Sequence, residues 1–154
     1  MVINLIESIL VLKKILVGLA ISIACFTLFA CEQPLKVDPK EVTSDYYTSL
    51  KNKDFEAASL MFDDGMFRSV PRQAWVEFFG NVQSELGALK GIRVKNVETN
   101  TVRTGRIFIF DVAAQYENGN SAETLILFQS LSATDLGVIA YEVKAKDLKA
   151  KAPH

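Results

Sequence analysis

Three regimes of apolar patterning divide the chain. Residues 15–30, "ILVGLAISIACFTLFA", form an apolar run that no charge interrupts. Residues 39–89 place apolar side chains every three to four positions, the helical period. From Ile92 onward the period falls to two, that of a strand with one buried face.

The helical regime predicts three helices. Asp38 suits an N-cap, Pro39 the first helical position and Glu41 the reciprocal place in a capping box. Val42, Tyr46 and Leu50 then follow on one face. Asp54 caps a second, short helix, "FEAASLMF", with Phe55, Ala58 and Phe62 along one side, and "DDGM" breaks it. "SVPRQAW" opens the longest helix, with Ser69 or Val70 as cap and Pro71 in its first turn. Trp75, Phe78, Phe79, Val82, Leu86 and Leu89 recur along it, and Gly87 and Gly91 close it. Gly80 lies inside at a cost of up to ~1 kcal/mol against Ala, which a close helix–sheet approach would explain.

The period-two regime predicts about four antiparallel strands. "IRVKNVETN" alternates weakly, and "RIFIFDVAAQY" strongly, with Phe108, Phe110, Val112 and Ala114 facing one way. Asn118-Gly119 is a two-residue hairpin signal. "SAETLILFQSL" returns, "ATDLG" turns, and Val138 to Ala145 form a last strand. Helices followed by a meander argue for α+β: N-terminal helices packed on a curved antiparallel sheet, a cone with a cavity. The polar tail, residues 147–154, is expected to be flexible.

The apolar run at 15–30 follows Lys13 and Lys14, and no Arg/Lys cluster follows it. It falls short of the roughly 20 apolar residues of a membrane span. The layout is that of a secretory signal. Leu28-Phe29-Ala30-Cys31 resembles a bacterial lipobox, with an aliphatic residue three before the Cys and a small one just before it. Phe29 departs from the usual small or polar choice. The resemblance implies a signal peptide over 1–30, cleavage before Cys31, acylation of Cys31 including palmitate, and a tether over 31–38. Several buried acyl chains, at about 0.8 kcal/mol per CH₂, anchor where one does not. Cys25 has Ser22 at the corresponding position and fits worse. Glu7 is unusual for a signal's positive segment, so a start near Val11 or Leu12 is expected.

Three further stretches carry a second resemblance: "YYTSLKNKDFEAASLMF", the helix from Trp75 through "ELGALKGIRV", and "FQSLSATDLGVIAYEV". They cover most of residues 39–146. Together they resemble the cone-shaped α+β fold of the nuclear transport factor 2-like superfamily, with its cystatin-like layout, and small secreted bacterial proteins of that class. No catalytic motif is shared, so the resemblance speaks to fold and not to activity. It implies a cavity and a homodimer through the open sheet face.

Composition removes several functions. The chain has 154 residues, room for one ordinary domain, and its net charge of −1 lacks the basic footprint of a nucleic-acid binder. The single His is residue 154, in the tail, so a Ser triad lacks its base. Two Cys and no internal His leave zinc without ligands, and no cofactor motif is present. Asp63-Asp64 lacks the spacing of a Ca²⁺ loop and suits a turn. Lys144, Lys146, Lys149 and Lys151 give a basic C-terminus, either solvated or touching anionic lipid heads.

The expected protein is a lipid-anchored domain of the bacterial cell envelope facing the periplasm, with the outer membrane favoured because Glu32 is not an inner-membrane Asp signal. Its cone would bind a partner protein or a small apolar ligand without catalysis. Trp75, Phe78 and Phe79, with Met61, would line the pocket beside Asp111, Tyr116 and Tyr141. The alternative is a small hydrolase or isomerase using Asp111 with Tyr116 or Tyr141. Asp111 interrupts the Ile107, Ile109, Ala113 face, so its direction separates the two.

Overall fold

Asp38 starts the first helix as its sequence suggests. Its Oδ1 accepts the Lys40 N–H at 2.9 Å, and helix α1 runs Pro39–Lys51 with Pro39 in the first turn. The structure, a computed structural model, describes residues 37–132, 135–146 and 148–153. The signal run, the start-site question, the motif ending at Cys31 and His154 therefore lie outside the described residues. Among those described, no helix is long and apolar enough to cross a membrane.

The buried stripe of α1 is Thr43, Tyr46, Tyr47 and Leu50. It is rotated by one position from the expected stripe, because Tyr47 buries its ring and Val42 only partly does so. Helix α2, Phe55–Leu60, begins at Asp54, whose Oδ1 accepts the Ala57 N–H at 3.0 Å. Asp63 does similar work for the 3-10 turn Asp64–Phe67, accepting the Gly65 N–H at 2.7 Å.

Helix α3, Arg72–Leu86, departs from expectation at both ends. Its N-cap is Pro71 rather than Ser69 or Val70, and no side chain caps it. It stops at Leu86; Leu89 opens the first strand, and Gly91 lies inside that strand. The stop has a cause in the chain that arrives there. Asn118 N–H donates to Leu86 O at 2.8 Å, and Glu117 N–H to Ala88 O at 3.0 Å. Gly87 sits at φ 81°, where a Cβ would lie 2.7 Å from Glu117 Cβ, so only glycine fits. Gly80 proves less constrained. A Cβ there would meet the Phe55 ring of α2 at 3.8 Å, an ordinary contact between helices and not a helix–sheet approach.

Strands β1 (Leu89–Val102), β2 (Gly105–Tyr116), β3 (Asn120–Ser130) and β4 (Gly137–Ala145) form one antiparallel sheet in sequence order. Register shifts at Leu89/Gly91, Val94/Asn96 and Ile126/Leu127 bend it. The β2–β3 hairpin closes on a Tyr116 N–H to Gly119 O bond of 2.8 Å, so its loop is Glu117-Asn118, one residue earlier than expected. Neither Asn118 nor Gly119 takes the positive φ of the expected turn, because residues 117 and 118 are tied to the end of α3.

Phe108, Phe110, Val112 and Ala114 do share a face, and the helices cover that face. Leu125 and Leu127 of β3 join them, fully buried. The architecture is the α+β cone: three helices on one side of a bent four-stranded antiparallel sheet. The C-terminal tail is not free of the domain. Lys149 N–H donates to Glu85 Oε2 at 2.7 Å, and Leu148, Ala150 and Ala152 pack against the core, an alternation that the Lys-rich tail conceals.

Candidate functional site

The interior of the cone holds a polar group that the sequence pattern disguises. Ser121, Glu123, Leu125 and Leu127 alternate along β3 and share its inward face. Glu123 is only 2 % exposed. One carboxylate oxygen, Oε1, accepts from Tyr116 OH at 2.9 Å and Ser121 Oγ at 2.6 Å. The other, Oε2, accepts from Tyr141 OH at 2.6 Å. Among the described residues no cation pairs with it. Burying an unpaired carboxylate is expensive, and three hydroxyl donors are what offsets that cost here.

All four tyrosines of the chain crowd this acid. Tyr46 packs edge-on against Tyr47 and Tyr141, with ring centroids 5.3 Å apart in each pair. The Tyr46 and Tyr47 hydroxyls are buried near Tyr141 and Glu123, though neither reaches a partner at full hydrogen-bond geometry. Burial, and then the negative charge of Glu123, raise the hydroxyl pKa of every one of them above the ordinary 10.0.

Trp75, Phe78 and Phe79 do come together with Tyr141, but as packing. Phe78 lies 6.0 Å from Trp75, and Phe79 lies 5.9 Å from Tyr141, centroid to centroid. The space left between Phe79, Gln83, Tyr116 and Tyr141 is about 10 Å³, the size of one water and far below a ligand. Met61 stays at the edge of this cluster, and its carbonyl accepts from Val138 N–H at 2.8 Å.

Asp111 is not part of it. By register it pairs with Asn96 and Thr124 on the outer face of the sheet, while Tyr116 and Tyr141 point inward. Its carboxylate accepts from Thr124 Oγ1 at 3.4 Å and Asn96 Nδ2 at 3.5 Å. The expected constellation of Asp111 with Tyr116 or Tyr141 is thus divided by the thickness of the sheet. The acid beside the tyrosines is Glu123. Its place in phase with Leu125 and Leu127 was the available signal.

An opening does exist, at the mouth of the cone. The inward side of β1 bears Ile92, Val94 and Val97, in register with Ala114, Val112 and Phe110. Helix α1 crosses above with Lys40, Thr43 and Ser44. Between them lies a cleft of about 340 Å³, floored by Phe110. Val94 and Val97 are 42 % and 39 % exposed, which is high for apolar residues on the covered face of a sheet. The weak alternation of "IRVKNVETN" hid this cleft, because the bulge at Lys95 shifts the phase between Val94 and Val97. Among the described residues no group of acids, Cys or His could hold a metal ion.

Neither a protein family nor a curated protein sequence matches the chain. The solved structures that resemble it in fold include one from Bdellovibrio bacteriovorus and one from Cytophaga hutchinsonii. Bd1075 of Bdellovibrio bacteriovorus superposes with a TM-score of 0.48 at 12% identity, covering 68% of this chain and 38% of its own, so this chain spans well under half of that protein. A nuclear transport factor 2-like protein of Cytophaga hutchinsonii superposes with a TM-score of 0.45 at 13% identity, covering 71% of this chain and 100% of its own.

Proposed function

We propose that the chain is a lipid-anchored, non-enzymatic binding domain of the bacterial envelope, facing the periplasm, that holds a small apolar molecule in the cleft between α1 and β1. The observation that carries this reading is the contrast between two spaces. The interior, where an acid and tyrosines meet, has room for about one water. The mouth, which lacks an acid, has room for a ligand and an apolar lining. Chemistry needs a substrate atom within hydrogen-bond reach of the acid, and Glu123 is sealed from any. Binding needs only concave apolar surface with a few polar groups at its edge, which Lys40 and Ser44 supply.

The anchor rests on Leu28-Phe29-Ala30-Cys31 and its distance from the fold. Helix α1 begins at Pro39, so the intervening chain reaches about 27 Å at full extension. An acylated Cys31 would therefore keep the mouth of the cone close to a lipid surface. Organic extraction of the chain purified from membranes, followed by mass spectrometry, should release a small apolar compound in near-stoichiometric amount. The Val97→Glu form should release none. Equal recovery from both forms would overturn the cleft assignment, and palmitate labelling that persists in Cys31→Ala would overturn the anchor.

A further inference from the structure

The outer face of the sheet carries a second concavity, which shares Ile92 of β1 with the cleft. It lies over the β1–β2 pair and measures about 460 Å³. Its floor is small: Ala113 on β2, and Gly91 on β1, where an added Cβ would meet no atom within 4 Å. Its walls are polar, formed by Arg93 and Lys95 of β1, Gln115 of β2 and Asn120 of β3. The residues come together for a reason of register. Arg93 pairs with Ala113 on the outer face, and the bulge between Val94 and Asn96 inserts Lys95 just beyond it.

Lys90 is paired with Glu117 at 3.4 Å and Lys144 with Glu142 at 2.9 Å. Arg93 and Lys95 have no ion pair among the described residues. Asp111, the next outward position of β2, is held instead by Asn96 and Thr124. Two cations without an ion pair among the described residues, one a planar fork and one a point charge, thus line a hollow rimmed by two amide groups that can donate N–H bonds. We propose that this hollow is a binding site for a small oxyanion-bearing molecule, a phosphate or carboxylate compound. Arg93 grips two oxygens side by side, Lys95 neutralises the remaining charge, and Gln115 and Asn120 fix the orientation.

The test is a backbone-amide NMR titration of the full chain in neutral detergent, with sodium pyrophosphate and separately with citrate, at ionic strength held constant by sodium chloride. Saturable shifts confined to residues 91–95, 113–115 and 120 are expected with at least one of the two anions, and which one responds identifies phosphate or carboxylate as the source. Arg93→Gln and Lys95→Gln should each weaken binding about tenfold or more. Gly91→Leu should block the hollow outright, since its side chain enters open space. Lys51→Gln, on α1, should change nothing. Shifts that never saturate, or that spread over the lysines generally, would overturn the proposal. So would binding that survives Gly91→Leu. If Arg93→Gln fails to fold, Lys95→Gln and Gly91→Leu decide the matter by themselves.

Discussion

The Tyr141 hydroxyl donates to Glu123 Oε2 at 2.6 Å inside the fold, a side-chain hydrogen bond that ties β4 to β3 in the core. Tyr141 also packs on Tyr46 of α1 and Phe79 of α3. One ring therefore links the sheet to both long helices while its oxygen satisfies a buried acid.

Tyr141→Phe keeps the ring and removes the donor. Oε2 is then left buried without its bond, at a cost of about 1–3 kcal/mol. Urea unfolding should show a lower midpoint with an unchanged slope. A midpoint equal to that of the parent protein would mean that Glu123 is not held as described.

The four raised tyrosines give a pH signature. Their folded pKa values lie above the unfolded value of 10.0, so their contribution to stability is complete below pH 10 and is lost as pH rises above it. Near-ultraviolet titration of the native protein should show no phenolate step at about pH 10, and phenolate should appear together with unfolding at higher pH. A reversible step involving even one tyrosine near the ordinary value, with the fold intact, would contradict the burial.

Gly80 inside α3 and Gly87 just past its end should respond in opposite directions. Gly80→Ala places its methyl 3.8 Å from Phe55 and should stabilise by up to about 1 kcal/mol. Gly87→Ala meets Glu117 at 2.7 Å in a left-handed conformation and should cost at least about 1–2 kcal/mol. Thermal unfolding of both variants checks the pair.

Val94→Glu adds a charge to an already half-exposed position of the cleft. Its stability should change by no more than about 0.5 kcal/mol, as for other surface substitutions. Enhancement of an apolar fluorescent probe by the parent protein should be abolished in the variant. Enhancement that remains would place the apolar site elsewhere.

Much of this fold was legible because single residues carried its boundaries. Asp38 and Asp54 cap where their side chains suggest, and the Phe108-to-Ala114 alternation is a strand with one buried face. The misplaced end of α3 and the shifted β2–β3 loop share one cause, which is long-range contact. The end of α3 at Leu86 is set by residues 117 and 118, which no local window around Leu86 contains. The site was less legible still. Asp111 attracts notice because it interrupts apolar neighbours, yet those neighbours form the outer face. Glu123 looks like an ordinary polar residue of a hairpin until it is placed in phase with Leu125 and Leu127. The cleft was hidden by the bulge at Lys95, since one extra residue reverses the apparent facing of everything beyond it.

That same bulge bears on how the protein avoids sticking to itself. An open sheet has two unpaired borders, each a template on which another chain could add a strand. At β4 the start of the border is occupied by the protein's own backbone, in a single bridge at Val138: Asp63 N–H donates to Val138 O at 2.9 Å and Val138 N–H to Met61 O at 2.8 Å. At β1 the border runs the length of Leu89–Val102 and is exposed over most of it. Lys95 divides that run into two short pieces out of phase with each other, and no straight incoming strand can pair with both. A residue beside a hollow on one face thereby also breaks the edge as a template for an added strand.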